Sequence, residues 1–338
     1  MCDGRSGEHH HEHGHIVVPN HLITRRRVIQ GGAVGLGALL LSACRRQPGI
    51  GILPGITGPA KDGLTLPGFD MFASTVKVTK SGSWWLVESN GLPAHGMMIG
   101  ITSWQQQVPT AQPYSGANSW QIPVVPELAD APVSARTSLY RGAIALAANG
   151  VPIFNALNNR GDDAFLFGEL DQWGGHAGRA DDYHYHIAPL HLQSQVGPGR
   201  PIAWALDGFP IYGDTEPDGS PMKALDEFNG HFDSIGYYHY HGTRTYPYIN
   251  GGLRGKITVS GDQIEPQPRT TPFRPALEPL RGATITSFDS PTSGSYRLGY
   301  TVDGRAGEVA YTVSATEVRF TFTSVDGAVT TETYARRP

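Results

Sequence analysis

The tetrapeptide Tyr-His-Tyr-His occurs twice, at 183–186 and 238–241, and it constrains the fold more than any other feature of the chain. A residue pattern of period two belongs to a strand, where successive side chains take opposite faces. Each copy therefore presents two imidazoles on one face, about 6.6 to 7 Å apart along the strand, and two phenols on the other. The copies are part of a longer internal repeat. Asn149-Gly-Val-Pro-Ile-Phe-Asn155 matches Asp207-Gly-Phe-Pro-Ile-Tyr-Gly213 at an offset of 58, and Leu170 to His176 matches Leu225 to His231 at an offset of 55. Six of the eight histidines that follow Cys44 fall at equivalent positions of the two units.

Repetition of this kind points to metal ligation. In each unit a loop histidine precedes the strand pair by eight residues, giving His176 with His184 and His186, and His231 with His239 and His241. Three neutral nitrogen donors are typical of sites that keep one coordination position open. Spacing leaves open two mononuclear sites or one shared site. Asp171 and Asp226, five residues before the loop histidines, are placed to ligate, to orient an imidazole or to act as general base. His95 lies in Gly91-Leu-Pro-Ala-His95-Gly-Met97-Met98, where a thioether beside imidazole favours copper, so it joins the candidate ligands; zinc is the second candidate ion. His191, just after a proline, stands at the margin of the set. Tyr183, Tyr185, Tyr238 and Tyr240 are expected to pack on the opposite face.

With 43 glycines and 26 prolines in 338 residues, long helices should be scarce, and a coiled coil or helical bundle is excluded. The expected fold is mainly β with short helices near 164–172 and 222–228. Its core is internally duplicated with pseudo-twofold halves, and a small C-terminal antiparallel β domain follows. Thr75–Thr79 and Trp84–Val87 read as a hairpin. Alternating apolar runs around two Asp-Gly turns make 270–338 a β meander. A domain over 69–262 would then hold the tandem units, about 149–190 and 207–255. The formal charge of −4 leaves no basic patch for a phosphate backbone, which excludes nucleic acid as a partner.

The first 43 residues read as an export signal. Thr24-Arg25-Arg26-Arg27-Val28-Ile29 precedes a weakly apolar stretch too short to span a bilayer, which ends in Leu41-Ser42-Ala43-Cys44. This order matches a twin-arginine signal closing on a lipobox. Its partners are the twin-arginine export machinery and the lipid bilayer, the latter through a lipidated Cys44 facing the periplasm or cell exterior. Residues 44–68 form a Gly/Pro tether; the run from 47 to 68 alone holds six glycines and four prolines. The His-rich run from His9 to His15 precedes the signal core and leaves with it. Export removes Cys2 and lipidates Cys44, so no thiol remains for chemistry.

At these residues the chain resembles the YHYH-domain family. The resemblance runs from Val87-Glu-Ser-Asn-Gly91 through Trp104-Gln-Gln-Gln107, Asn155–Gly161, Gly174–His186 and Trp204–Gly213 to Gly251-Gly-Leu-Arg-Gly255, about half the chain. It implies an exported bacterial protein and brings no assigned reaction. The family pattern has cysteine at the positions of Ala177 and Gly252; their absence here throws the weight onto histidine. Three functions follow as expectations: a metal-binding lipoprotein with redox chemistry; a zinc hydrolase using Asp171 or Asp226; and a non-catalytic surface module for a glycan or other ligand with structural histidines.

Overall fold

The computed structural model describes residues 66–336. The export signal, Cys44, the His-rich run and nearly all of the tether lie outside the described residues. Strand β1 (Lys77–Ser81) and β2 (Trp84–Glu88) form the expected hairpin, with Val78 opposite Val87, and β3 (Trp120–Pro123) completes a three-stranded antiparallel sheet. Strand β4 (Leu128–Ser134) follows.

The histidine units fold into one eight-stranded sheet. Its strands are β5 (Ala143–Ala147), β6 (Pro152–Phe154), β7 (Gly175–Ala177), β8 (Tyr183–Tyr185), β9 (Ala203–Ala205), β10 (Pro210–Tyr212), β11 (Gly230–Phe232) and β12 (Tyr238–His241). The spatial order is β11-β12-β10-β9-β5-β6-β8-β7, which reads with the same roles from either edge. β5 and β9 meet antiparallel at the centre, with Ala145 opposite Ala205. Outward from them, Ile153 pairs in parallel with Tyr185, and Ile211 in parallel with Tyr240. At the edges His176 lies opposite His184, and His231 opposite His239, each pair antiparallel.

The repeated Gly-x-Pro-Ile segments set up this pairing. Gly150 and Gly208, at φ +80° and +93°, each turn the chain back between two strands. Both turns carry the same bonds: Gly150 N–H to the Ala147 carbonyl and Gly208 N–H to the Ala205 carbonyl, both 2.8 to 2.9 Å. Only glycine holds that φ without strain. Behind the turns the sheet is apolar on the tyrosine face: Ile153, Ile211, Tyr183, Tyr185 and Tyr240 are wholly buried. Burial of such side chains contributes about 1.5–3 kcal/mol each.

Strand β13 (Gly252–Gly255) pairs with β4, and β14 (Thr258–Ser260) with β15 (Gln263–Glu265). The C-terminal meander is β16 (Ala283–Thr292), β17 (Ser295–Val302), β18 (Arg305–Val313), β19 (Glu317–Thr323) and β20 (Val329–Ala335), antiparallel in sequence order. The Asp303-Gly304 turn has both residues at positive φ, the backbone that a tight hairpin between right-twisted strands needs. Its inner face of Leu298, Val309, Tyr311, Val318 and Phe320 is buried. A buried ion pair ties the segment before the meander to the loop before β8: the Arg274 guanidinium meets the Asp181 carboxylate at 2.6 and 2.7 Å. The Tyr311 hydroxyl donates to the Pro109 carbonyl at 2.6 Å.

The two expected short helices do not form. Over 164–168 the chain makes a single turn: the Asp163 carboxylate caps the Phe165 and Leu166 amides and the Phe167 N–H reaches the Asp163 carbonyl, but it goes no further. Gly168 at φ +70° stops it. Phe165, Leu166 and Phe167 are 50 to 73% exposed, so no apolar face is buried to stabilise one. Residues 222–226 carry no regular element. The α-helix is α1 (Gln193–Val196), entered through a 3₁₀ turn at Leu190–Leu192. Among the described residues no helix is long and apolar enough to cross a membrane.

Candidate metal centres

Pairing at the two sheet edges gathers the histidines into two clusters. In the first, the Nε2 atoms of His176, His184 and His186 stand 3.1 to 3.2 Å from one another, a nearly equilateral triangle. The centre of such a triangle is about 1.8 Å from each nitrogen. An ion about 1 Å above its plane would therefore sit at the 2.0–2.1 Å of a zinc–imidazole bond.

The other ring nitrogens decide what this triangle is made of. Nδ1 of His184 meets the Asp182 carbonyl at 3.0 Å, and Nδ1 of His186 meets the Asn155 carbonyl at 2.5 Å. A carbonyl only accepts, so the proton of each neutral ring is on the nitrogen facing the carbonyl, and Nε2 keeps a lone pair. Burial, reinforced by the neighbouring imidazoles, holds all three rings well below the usual histidine range, His186 at about 3. Two lone pairs, those of His184 and His186, thus face each other at 3.2 Å with no hydrogen of their own to share, and a cation at the centre would relieve that repulsion.

The second cluster repeats the first and adds a carboxylate. His231 and His241 bring their Nε2 atoms to 3.2 Å, and Nδ1 of His241 meets the Gly213 carbonyl at 2.8 Å, the position matching Asn155. Glu216 Oε1 lies 3.2 Å from His231 Nε2, while Oε2 lies 3.3 Å from His239 Nε2 and 3.9 Å from that of His241. All four ligand atoms fall within 4.8 Å of one another. Burial pushes the Glu216 carboxyl upward, but the Lys223 amide at 2.8 Å and the three histidines together hold it below the ordinary glutamate value. Burial lowers His239 to about 4 and lowers His241 as well.

Sequence reasoning missed Glu216. It sits in the turn after β10, closed by its own N–H to the Ser220 carbonyl. Carrying the offset of 58 past Gly213 reaches it, opposite Asn158 in the first unit. Asn158 makes the same turn, to the Asp162 carbonyl, but its side-chain amide donates to Glu169 Oε1 at 3.0 Å. The two clusters also carry equivalent aromatic walls: Phe154 stacks on His184 with centroids 3.9 Å apart, and Tyr212 meets His239 edge-on at 5.3 Å.

Four strands separate β8 from β12, so the clusters stand on the order of 20 Å apart at opposite sheet edges. Geometry thus resolves the choice that spacing left open, in favour of two separate groups.

The other candidate residues occupy the opposite face. Asp171 is not among the converging atoms: it accepts from the Tyr183 hydroxyl and the Met98 and Trp173 amides, each at 2.8 Å, and from the Gly175 amide at 3.2 Å. Asp226 does the same work for Tyr238, Phe228 and Gly230. Both carboxylates brace the turn that leads into the edge strand carrying the first histidine, and neither faces the imidazoles as a base or ligand. His95 is likewise apart from the clusters. Its Nε2 meets the Tyr185 hydroxyl at 2.7 Å, its Nδ1 meets the Gly96 carbonyl at 2.7 Å, and its ring stacks on Trp173. Met98 Sδ accepts the Ala177 amide on this face. His191 packs edge-on against His95 and Trp173.

Sheet and clusters together define a mainly β protein with two histidine groups of metal-site geometry. The family model described as YHYH protein matches residues 119–220, which contain the first cluster and Glu216; the second Tyr-His-Tyr-His lies beyond the match. This supports the family resemblance over that stretch. Comparison with curated proteins and with solved structures gave no match.

Proposed function

We propose that this chain is an exported, lipid-anchored protein that binds two transition-metal ions, one in each histidine cluster. The observation that carries the reading is the convergence of three Nε2 atoms at 3.1 to 3.2 Å, with the Nδ1 atoms of His184 and His186 spent on backbone carbonyls. Residues in a hydrogen-bonded polar core would share protons there instead. The backbone carbonyls act as the outer partners that fix imidazole tautomer and direction in metal sites.

Zinc suits the donors better than copper. The thioether argument for copper depended on His95 and Met98, and both stand on the tyrosine face. What remains is imidazole with one carboxylate, a set that zinc binds in tetrahedral geometry. Asp171 and Asp226 are committed to tyrosines and amides, so a hydrolytic role through them is not carried forward. Anchoring rests on the order of the arginines, the apolar stretch and the small residues before Cys44.

The test is metal content by inductively coupled plasma mass spectrometry on untagged chain purified after native export. Two equivalents per chain are expected, and none when His184, His186, His239 and His241 are all changed to Ala. A wild type that stays metal-free after incubation with zinc and copper overturns the reading and leaves a surface binding module.

A further inference from the structure

The two clusters share three histidines and differ at one position, Glu216 against Asn158. In the second cluster the carboxylate of Glu216 reaches two of the imidazoles at 3.2 and 3.3 Å, close to the spacing of donors around one tetrahedral ion. It is buried and fixed there by the Lys223 amide. In the first cluster Asn158 is turned away: its Oδ1 accepts the Arg160 and Asp162 amides at 2.9 and 3.1 Å, and its amide goes to Glu169. Glu169 is in turn held by the Arg160 guanidinium. Among the described residues, only three donor atoms converge in this cluster. His176 and Phe154, its part-exposed members, mark the side that meets solvent.

We infer that the clusters divide the work. The second is a closed three-histidine, one-glutamate site that exchanges its ion slowly. The first leaves one coordination position for an outside donor, and it takes a small anion that ligates through a single atom. Charge among the ligands favours an anion there: three neutral imidazoles leave a divalent ion with both its charges, whereas Glu216 removes one at the second site; the Asp182 carboxyl nearest the first cluster stands behind His184, 3.8 Å from its Nδ1. Four protein ligands are the rule at structural zinc sites, and three with an open position at reactive ones. This inference rests on the metal-binding reading of the clusters.

The experiment uses cobalt(II) as the metal and azide as the anion, read by visible absorption. Wild-type chain loaded with two cobalt ions is titrated with azide, beside the paired variants His184→Ala with His186→Ala and His239→Ala with His241→Ala, and the single variant Glu216→Gln. The inference expects azide to shift the bands of one of two ions in the wild type. The shift is lost in the first paired variant, kept in the second, and doubled in amplitude in Glu216→Gln. Release of cobalt to a chelator from the wild type, which needs no variant to fold, should show two phases at least about tenfold apart in rate. Two bound ions with no azide response, a response that survives only in the first paired variant, or a single release phase overturns the division while leaving metal binding intact. A chain that binds no cobalt overturns both.

Discussion

The two edges of the eight-stranded sheet are built on the same plan and end in different sites. Both place an edge-strand histidine opposite the first histidine of a Tyr-His-Tyr-His strand, and both use Asp and Tyr on the far face to hold the turn that leads into that edge strand. One edge adds Glu216 among the imidazoles; the other spends Asn158 on its own turn. A scaffold fixed by strand register can therefore keep three ligands constant while a single turn residue sets the charge and closure of the site.

The largest effect that would sharpen the comparison is metal removal. Each ion held at a thousandfold excess over its dissociation constant stabilises the fold by about 4 kcal/mol. A chelator should lower the melting temperature in two steps, the first-cluster ion leaving first. Differential scanning calorimetry checks this, and a single step would break the asymmetry.

Next come Gly175→Ala and Gly230→Ala, which probe what the edges share. A Cβ at Gly175 would meet the Tyr183 hydroxyl at 2.5 Å and the His184 carbonyl at 2.7 Å; at Gly230 it would meet the Tyr238 hydroxyl at 2.3 Å and the His239 carbonyl at 2.6 Å. Backbone cannot give way cheaply, so each costs about 3 kcal/mol. Denaturant titration should find the two costs equal; unequal values would show that the edges are not equivalent in packing.

Acid acts on the metal-free chain at both edges. His186 and His239 have folded values of about 3 and 4 against about 6.5 when unfolded. The unfolded chain binds the extra protons, so stability is full above pH 6.5 and falls as the pH drops toward those values. Between pH 6.5 and 5 the loss is about 2 kcal/mol for each of these two histidines. Urea midpoints across that range measure it, and midpoints that do not move would contradict buried neutral imidazoles.

The smallest effects separate the tyrosines. Tyr240 donates to Asp207 at 2.6 Å and accepts the Arg254 amide at 2.6 Å, so Tyr240→Phe strands that amide and leaves the buried Asp207 carboxylate with only the Gly255 and Phe209 amides, at a cost of about 2 kcal/mol. Tyr185 contacts His95 and Asn149 at 2.7 and 3.1 Å, and Tyr185→Phe costs about 1 kcal/mol. Thermal shift assays rank them; the reverse order would contradict the assigned partners.

What was legible in the sequence is what strand periodicity encodes. The His-x-His alternation, the hairpin at Val78 and Val87 and the C-terminal meander all follow from local pattern, whereas His176 and His231, expected on loops, lie in the short edge strands β7 and β11. The rest depended on long-range contact. His95 meets Tyr185 across 90 residues, a pairing that no spacing rule reaches. Glu216 lies in a turn with no carboxylate at the equivalent place in the other unit, so the repeat that exposed the histidines concealed it. Asp171 and Asp226 had the right neighbours in sequence, but alternation put their tyrosine partners on the wrong face for the imidazoles. The helix expected near 164–172 starts as a turn capped by Asp163, but Gly168 at φ +70° stops it and the exposed Phe165, Leu166 and Phe167 bury no apolar face to extend it.

The most direct test is anomalous diffraction at the zinc edge from crystals of the zinc-loaded chain. The account predicts two peaks, one within about 2.1 Å of Nε2 of His176, His184 and His186, the other at the same distance from Nε2 of His231, His239 and His241. Crystals grown in zinc that show no peak at either triangle, with the imidazoles still facing one another, would contradict it.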